Sequence, residues 1–130
     1  DAGKIYQTWP LMGYDFFPND SSFRDLLTYK AFNTPSLVQF LHRNIAYFIF
    51  FQFLLIFYFV FKSKYLFYLR DVTLYVLTSL IIQIFLGILT ILSGANIVIA
   101  SLHQIGSIFL VITSLMLFFK NYKTNLQPSA

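Results

Sequence analysis

The longest uncharged stretch of the sequence constrains the fold most strongly. Residues 72–119 are 48 consecutive positions without Asp, Glu, Lys or Arg. A helix needs about 20 apolar residues to cross the hydrocarbon core of a bilayer, so this stretch is long enough for two crossings. The tetrapeptide SGAN at 93–96 is its only turn-like break. The stretch therefore predicts two antiparallel transmembrane helices, near 72–92 and 97–119, with a very short connection.

A third apolar run precedes this stretch. Between Arg43 and Lys62 lie 18 uncharged residues. Ser36, directly after Pro35, is a residue type that caps helix N-termini. These features predict a first transmembrane helix over 36–61, long enough to span the bilayer with some tilt. The predicted fold class is an all-α membrane protein with three transmembrane helices and an N-terminal outer loop.

The composition excludes several classes of protein. Of the residues, 58% are hydrophobic, 21% aromatic and 11% charged, which excludes a cytosolic enzyme and a disordered tail. Because the chain has no cysteine, it has no disulfides, thiolate metal sites or thiol nucleophiles. The formal net charge is +4, but no basic stripe interleaved with stacking aromatics accompanies it. We therefore expect membrane lipid, and no nucleic acid, as a partner.

The basic residues predict the orientation in the membrane. Lys62, Lys64 and Arg70 lie between the first two predicted spans, and Lys120 and Lys123 follow the last one. In three alternating spans both groups face the same side, which the positive-inside rule assigns to the cytoplasm or the mitochondrial matrix.

The segment before the first span is predicted to face the other side of the membrane. Residues 1–35 carry four Asp against three Lys or Arg. Within them, residues 21–29 join two serines to apolar residues, which predicts a short interfacial helix. The chain thus divides into an outer (periplasmic or intermembrane-space) loop at 1–35, a three-span domain at 36–120 and an inner-side tail at 121–130.

The two histidines are the main candidates for chemistry. His42 lies six residues after Ser36, and His103 lies six residues after Ile97. Because their helices are parallel, both side chains start about 9 Å into the membrane at 1.5 Å per residue. An ionisable residue inside a span is costly and marks a site by default. A pair at equal depth is suited to axial ligation of one heme iron from both faces.

Small side chains flank both histidines. Gly106 and Ser107 lie one turn after His103, and Ala46 lies one turn after His42. They leave width for a flat macrocycle beside the ligands. The alternative is that the histidines are hydrogen-bonded packing residues and that the small neighbours serve close helix contact. Two histidines at one depth favour the heme interpretation.

Other polar residues extend the candidate site. Arg43, near the outer surface, is suited to pairing with a heme propionate and almost equally to anchoring at lipid phosphate. Gln39, Gln83 and Gln104 are candidates to donate to propionates or to a ligand's second ring nitrogen, although interhelical hydrogen bonds would explain them as well. Gly87 of the second span indicates a packing face.

Several segments together resemble one known family. They are DAGKIYQTWPLMG at 1–13, VQFLHR at 38–43, AY at 46–47, Gln83 with LGILT at 86–90, and ASLHQ at 100–104. In order and spacing they look like the C-terminal half of heme A synthase, from residue 1 to about residue 120. Collectively these motifs are a strong signal, whereas any one alone would be weak.

The resemblance implies a fold and a function. The family is an eight-helix inner-membrane enzyme of two similar four-helix halves, which oxidises heme O to heme A for cytochrome c oxidase. Its C-terminal half holds a heme b through two histidines, which correspond here to His42 and His103. Its N-terminal half holds the substrate heme site with its own histidines and a glutamate.

This sequence departs from the family pattern in one large respect. It has three predicted spans, begins after the family's fifth helix, and contains no Glu. We therefore expect a further helix and the N-terminal half of the enzyme as partners, in cis or in trans. The alternative is a non-catalytic structural or assembly subunit of a respiratory complex, derived from that enzyme. A diheme quinone-linked cytochrome is a poorer fit, because two histidines permit one bis-histidine heme.

The residue bias toward Phe, Ile, Tyr, Asn and Lys hints at an AT-rich, organellar gene. It favours the mitochondrial inner membrane, with the bacterial plasma membrane as the alternative.

Overall fold

A computed structural model of the chain describes residues 2–126. Within that range the protein has four α-helices and no β-strand. Its helices are α1 (Lys30–Asn33), α2 (Pro35–Lys62), α3 (Arg70–Leu92) and α4 (Ile97–Leu126), with 3-10 turns at Ala2–Lys4, Phe23–Leu27 and Phe67–Leu69.

Three helical segments have the length and apolar composition needed to cross a membrane. They are Pro35–Lys62, Phe67–Leu92 and Ile97–Thr124. The expected all-helical membrane fold is thereby confirmed. α4 runs past the predicted end at residue 119 because no Gly or Pro interrupts it between there and Leu126. Of the predicted inner-side tail, residues 127–130 lie outside the described residues, as does residue 1 of the outer loop.

A tight turn at residues 93–96 joins α3 to α4. Gly94 and Ala95 adopt left-handed conformations, with φ of 65° and 60°. The Ala95 amide donates to the Thr90 carbonyl at 2.8 Å and closes the end of α3. The Asn96 side chain accepts an amide from the first turn of α4 at 3.0 Å. The two helices therefore run antiparallel, as the sequence predicted.

The inner ends of the three long helices lie together. Arg70, at the start of α3, donates through Nη2 to the carbonyl of Phe61 in the last turn of α2 at 2.9 Å. The Tyr68 hydroxyl donates to Oδ1 of Asn121 near the end of α4 at 3.2 Å. Because α2 and α4 both end here, they run parallel.

α3 packs against both α2 and α4, while α2 and α4 face each other across an apolar groove. The middle of the groove is lined by Ile49, Phe53, Leu80, Leu110, Val111, Ser114 and Leu115. Little of each span is buried within the chain, and in the most apolar window of α4 the buried share is 0%. The remaining helix faces therefore meet lipid or other protein.

The N-terminal segment lies across the outer ends of the long helices. A Cβ on Gly3 would lie 3.4 Å from the Cβ of Ala95 in the α3–α4 turn. Three residues along, the main chain of Tyr6 pairs with the side chain of Gln39 on α2. The segment therefore bridges α2 and the α3–α4 hairpin.

The segment expected to form an interfacial helix, residues 21–29, contains a 3-10 helix at Phe23–Leu27. It ends where Thr28 turns to extended backbone, with φ −120° and ψ 172°. The Asp25 carboxylate holds its start, accepting the Ser22 amide at 2.9 Å and the Ser22 hydroxyl at 2.8 Å. Leu27 is 91% exposed, so an apolar surface lies outside this turn.

Candidate functional site

His42 and His103 meet across the outer part of the groove between α2 and α4. Their ring centroids are 6.3 Å apart and their planes are inclined at 83°. The structure therefore brings together the two residues that the sequence placed at one depth. His42 is exposed and His103 is half-buried, so the pair is accessible from one side of the helices.

The separation of the two rings matches what a shared metal atom requires. A metal–imidazole bond is about 2 Å long and a ring centroid lies roughly 1 Å beyond its nitrogen, so two axial imidazoles have centroids roughly 6 Å apart. The observed centroid separation of 6.3 Å is close to this value. Among the described residues, no group of three or more His, Cys, Asp or Glu is placed to hold a bare metal ion. Two imidazoles suit an iron whose other four ligands come from a porphyrin.

α3 approaches the imidazole of His103 without an intervening side chain. A Cβ on Gly87 would lie 3.0 Å from Cε1 and 3.5 Å from Nδ1 of this ring. The Nδ1 atom is buried and has no hydrogen-bond partner. The ring therefore lies against the helix backbone, in a space that any side chain at position 87 would enter.

Gly87 and Gly106 both lie where α3 closely approaches α4. The sequence placed Gly106 beside the cofactor and Gly87 in a packing face. In the structure a Cβ on Gly106 would lie 2.5 Å from Oε1 of Gln83, while Gly87 contacts His103. Position 106 of α4 therefore faces α3.

Gln83 connects α3 to the helix turn that carries His103. Its Nε2 donates to the main-chain carbonyl of His103 at 2.7 Å. Its Oε1 is buried and has no hydrogen-bond partner. Gln83 thus forms an interhelical hydrogen bond, one of the roles that the sequence analysis gave it. The acceptor is the candidate ligand His103.

Arg43 and Gln39 bind the outer segment. Arg43 is 5% exposed, and its guanidinium donates to the carbonyls of Leu11 at 3.1 Å, Tyr6 at 3.2 Å and Pro10 at 3.4 Å. Gln39 donates to the Tyr6 carbonyl at 2.9 Å. Three main-chain carbonyls thus share the two terminal nitrogens of the guanidinium, and Nε is buried without a partner. The sequence analysis predicts a heme propionate or a lipid phosphate as the partner of Arg43. It does not predict these main-chain carbonyls.

Gln104 lies apart from these contacts. It is exposed on α4, and its main-chain carbonyl accepts the Ser107 hydroxyl at 2.6 Å. Sequence reasoning also missed the contact of Gly87 with His103. The spacing of Gln83 and Gly87, one helical turn apart, indicates that the two residues share one face of α3, but it does not indicate which helix that face meets.

Comparison with known proteins places the chain in a family. The family model described as "Cytochrome oxidase assembly protein", COX15-CtaA, matches residues 1–115. A heme A synthase from Pelagibacter ubique is 44% identical over 121 residues, covering 93% of this chain and 35% of the relative. Heme A synthase COX15 from Saccharomyces cerevisiae is 36% identical over 129 residues, covering 89% of this chain and 26% of the relative.

The chain spans between 26% and 35% of the length of the curated relatives it matches. No solved structure matches it. The family model covers both histidines, the whole of α2 and α3 and the larger part of α4. With these matches across its length, the chain is a multi-pass membrane protein of the COX15-CtaA family of cytochrome oxidase assembly proteins.

Proposed function

We propose that this chain forms the heme b site of a heme A synthase, with His42 and His103 as the axial ligands of one heme iron. The whole enzyme would oxidise heme O to heme A for cytochrome c oxidase. The single observation that carries the proposal is the 6.3 Å separation of the two imidazole centroids across the groove. The family match and the names of the relatives support the choice of heme.

The two proposed ligands have different surroundings. His42 lies on the open side of the groove, and His103 lies against Gly87 on α3. A bis-histidine heme, when bound, supplies one-electron transfer at an iron with no open position. In this proposal the chain handles electrons, while oxidation takes place in the other half of the enzyme.

In this proposal the outer segment would cover the outer end of the site. Arg43 and Gln39 hold it against the turn of α2 that contains His42. Below the histidines the groove continues between apolar side chains such as Phe53 and Leu110. A heme at this site would therefore have the outer segment on its outer side and apolar side chains of the groove on its inner side.

The exposed helix faces support a partner in the membrane. Gln104 and Ser107 are exposed on α4, and polar groups at membrane depth need protein or water around them. We propose a further helix and the N-terminal half of the enzyme, in cis or in trans, as that partner. We place the assembly in the mitochondrial inner membrane, with the bacterial plasma membrane as the alternative.

A second function is kept because the sequence contains no Glu. The family's substrate site is expected to use a glutamate, which the N-terminal half of the enzyme would supply, in cis or in trans. The alternative is that this chain is a non-catalytic structural or assembly subunit of a respiratory complex.

Complementation distinguishes the two functions. Deletion of the chain, His42→Ala and His103→Ala are compared for the ratio of heme O to heme A extracted from membranes. Gln52→Leu, at an exposed position of α2, is the control. For the enzyme, deletion and both histidine variants raise the ratio. If deletion raises it and neither histidine variant does, or if none of the three changes raises it, the structural function replaces the enzyme.

A further inference from the structure

Two residues of α3 contact the residue proposed as the α4 ligand. Gly87 lies beside the imidazole of His103, with a virtual Cβ 3.0 Å from its Cε1. Gln83, one turn toward the inner side, donates to the His103 carbonyl at 2.7 Å. α3 therefore contacts both the side chain and the main chain of this one residue.

The antiparallel arrangement of α3 and α4 explains why their contacts lie at two successive levels of the hairpin. α3 runs outward and α4 runs inward, so Gly87 lies level with His103 and Gln83 lies level with Gly106. The virtual Cβ of Gly106 is 2.5 Å from Oε1 of Gln83. The glycine at 106 therefore provides the space in which the Gln83 amide reaches across to the His103 carbonyl.

This arrangement is more specific than close packing requires. An apolar side chain at position 83 would pack against α4 without leaving a polar atom unpaired, whereas Oε1 of Gln83 is buried without a partner. A buried polar atom without a partner destabilises the fold. The amide is oriented by its donor bond to the His103 carbonyl, at the cost of leaving its oxygen free.

We propose that Gln83 and Gly87 are positioning residues for the His103 ligand. Gln83 fixes the main chain of α4 at that residue, and Gly87 sets how closely the ring lies against α3. Together they determine the direction from which the imidazole meets the iron. This inference rests on the proposed heme site, since it assigns these residues a role toward that site.

Groups outside the direct ligands orient a metal-bound histidine and tune the metal. Their loss weakens metal affinity by roughly 10- to 100-fold. A contact that only joins two helices would change stability and leave the iron's electronic properties unchanged. The midpoint potential and the electron paramagnetic resonance g-values of the heme therefore separate positioning from packing.

The test uses the purified assembly that contains this chain, extracted from membranes. Gln83→Leu removes the donor to the His103 carbonyl, and Gln52→Leu makes the same chemical change at an exposed position of α2. Gly87→Ala adds one methyl group beside the ring, and Thr78→Ala is its control, a small change at an exposed position of the same helix. Helix content is followed by circular dichroism, and heme by its midpoint potential, g-values and retention during dialysis.

We expect Gln83→Leu and Gly87→Ala to shift the midpoint potential and the largest g-value and to lose heme about 10-fold faster than wild type. Both controls should match the wild type. Gly106→Ala should resemble Gln83→Leu, because its methyl group displaces the same amide. If Gln83→Leu fails to assemble, Gly106→Ala is measured in its place.

The inference and the proposed function fail in different ways. If the wild-type assembly shows no low-spin heme, the proposed function is wrong. If it shows one, and both α3 variants keep its potential, g-values and retention while helix stability falls, the heme site stands and positioning by Gln83 and Gly87 is wrong.

Discussion

The guanidinium of Arg43 donates to the main-chain carbonyl of Leu11 across 3.1 Å, and this bond ties the outer segment to α2 one residue after His42. A guanidinium presents five donors in a rigid fork, which suits it to several carbonyls of one loop at once. The charge is buried, since Arg43 is 5% exposed. The structure therefore links the outer segment to the helix that carries one of the two candidate ligands.

Arg43→Ala should detach the outer segment from α2. Hydrogen bonds to charged groups are worth roughly 1.5–3 kcal/mol each, so exchange of the hydrogen-bonded amides of Tyr6 and Met12 should accelerate by at least about 10-fold, because about 1.4 kcal/mol corresponds to a factor of ten. Arg43→Lys should retain part of the protection against exchange, because an ammonium group keeps the positive charge but lacks the planar set of donors of a guanidinium. Arg24→Ala, in the exposed turn at Phe23–Leu27, is the control. Unchanged exchange in Arg43→Ala would show that other contacts hold the segment.

The two basic connections should face the same compartment. The chain has no cysteine, so Lys64→Cys, Lys123→Cys and Asp15→Cys each create a single labelling site. An impermeant maleimide should modify positions 64 and 123 from one side of the membrane and position 15 from the other. Labelling of all three from the same side would contradict three alternating spans.

The Asp25 carboxylate should titrate in strongly acidic solution. The Ser22 amide and Lys30 lower the pKa of Asp25 from 3.8 to about 2. Because the pKa is lowered in the folded turn, the stabilisation is complete above pH 3.8 and is lost as the pH falls through about 2. Carbon NMR of the labelled carboxyl should give this midpoint.

Lys30→Gln should raise the Asp25 midpoint, because it removes the 3.0 Å ion pair between Nζ and Oδ1. Arg24→Gln removes a positive charge from the same turn without touching that pair, and it should leave the midpoint nearly in place. A wild-type midpoint near 3.8, the ordinary value, would contradict the hydrogen bonding described for this turn.

The spans and the histidine pair were predictable because they depend on one-dimensional features. Charge-free length sets where a helix crosses a bilayer, and a short break such as residues 93–96 makes the next helix antiparallel. Once α2 and α4 are parallel, the distance of each histidine from its helix start sets its depth. These quantities need no knowledge of how the helices are rotated.

The roles of Gly87 and Gly106 depend on that rotation and were not predictable. Both helices are apolar around most of their circumference, so the sequence has no strong amphipathic stripe to indicate which face meets which. The partners of Arg43 were missed for a different reason. Main-chain carbonyls are present at every position, so a sequence does not mark Tyr6 or Leu11 as acceptors.

The optical spectrum of the dithionite-reduced assembly tests the central claim most directly. Wild type should show the sharp α-band of a six-coordinate, low-spin heme b, and Gln52→Leu should keep it. His42→Ala and His103→Ala should each abolish that band while the three helices still insert, because insertion depends on apolar length and basic loops. A low-spin band that survives both histidine substitutions, or a wild-type assembly without heme, would contradict ligation by this pair.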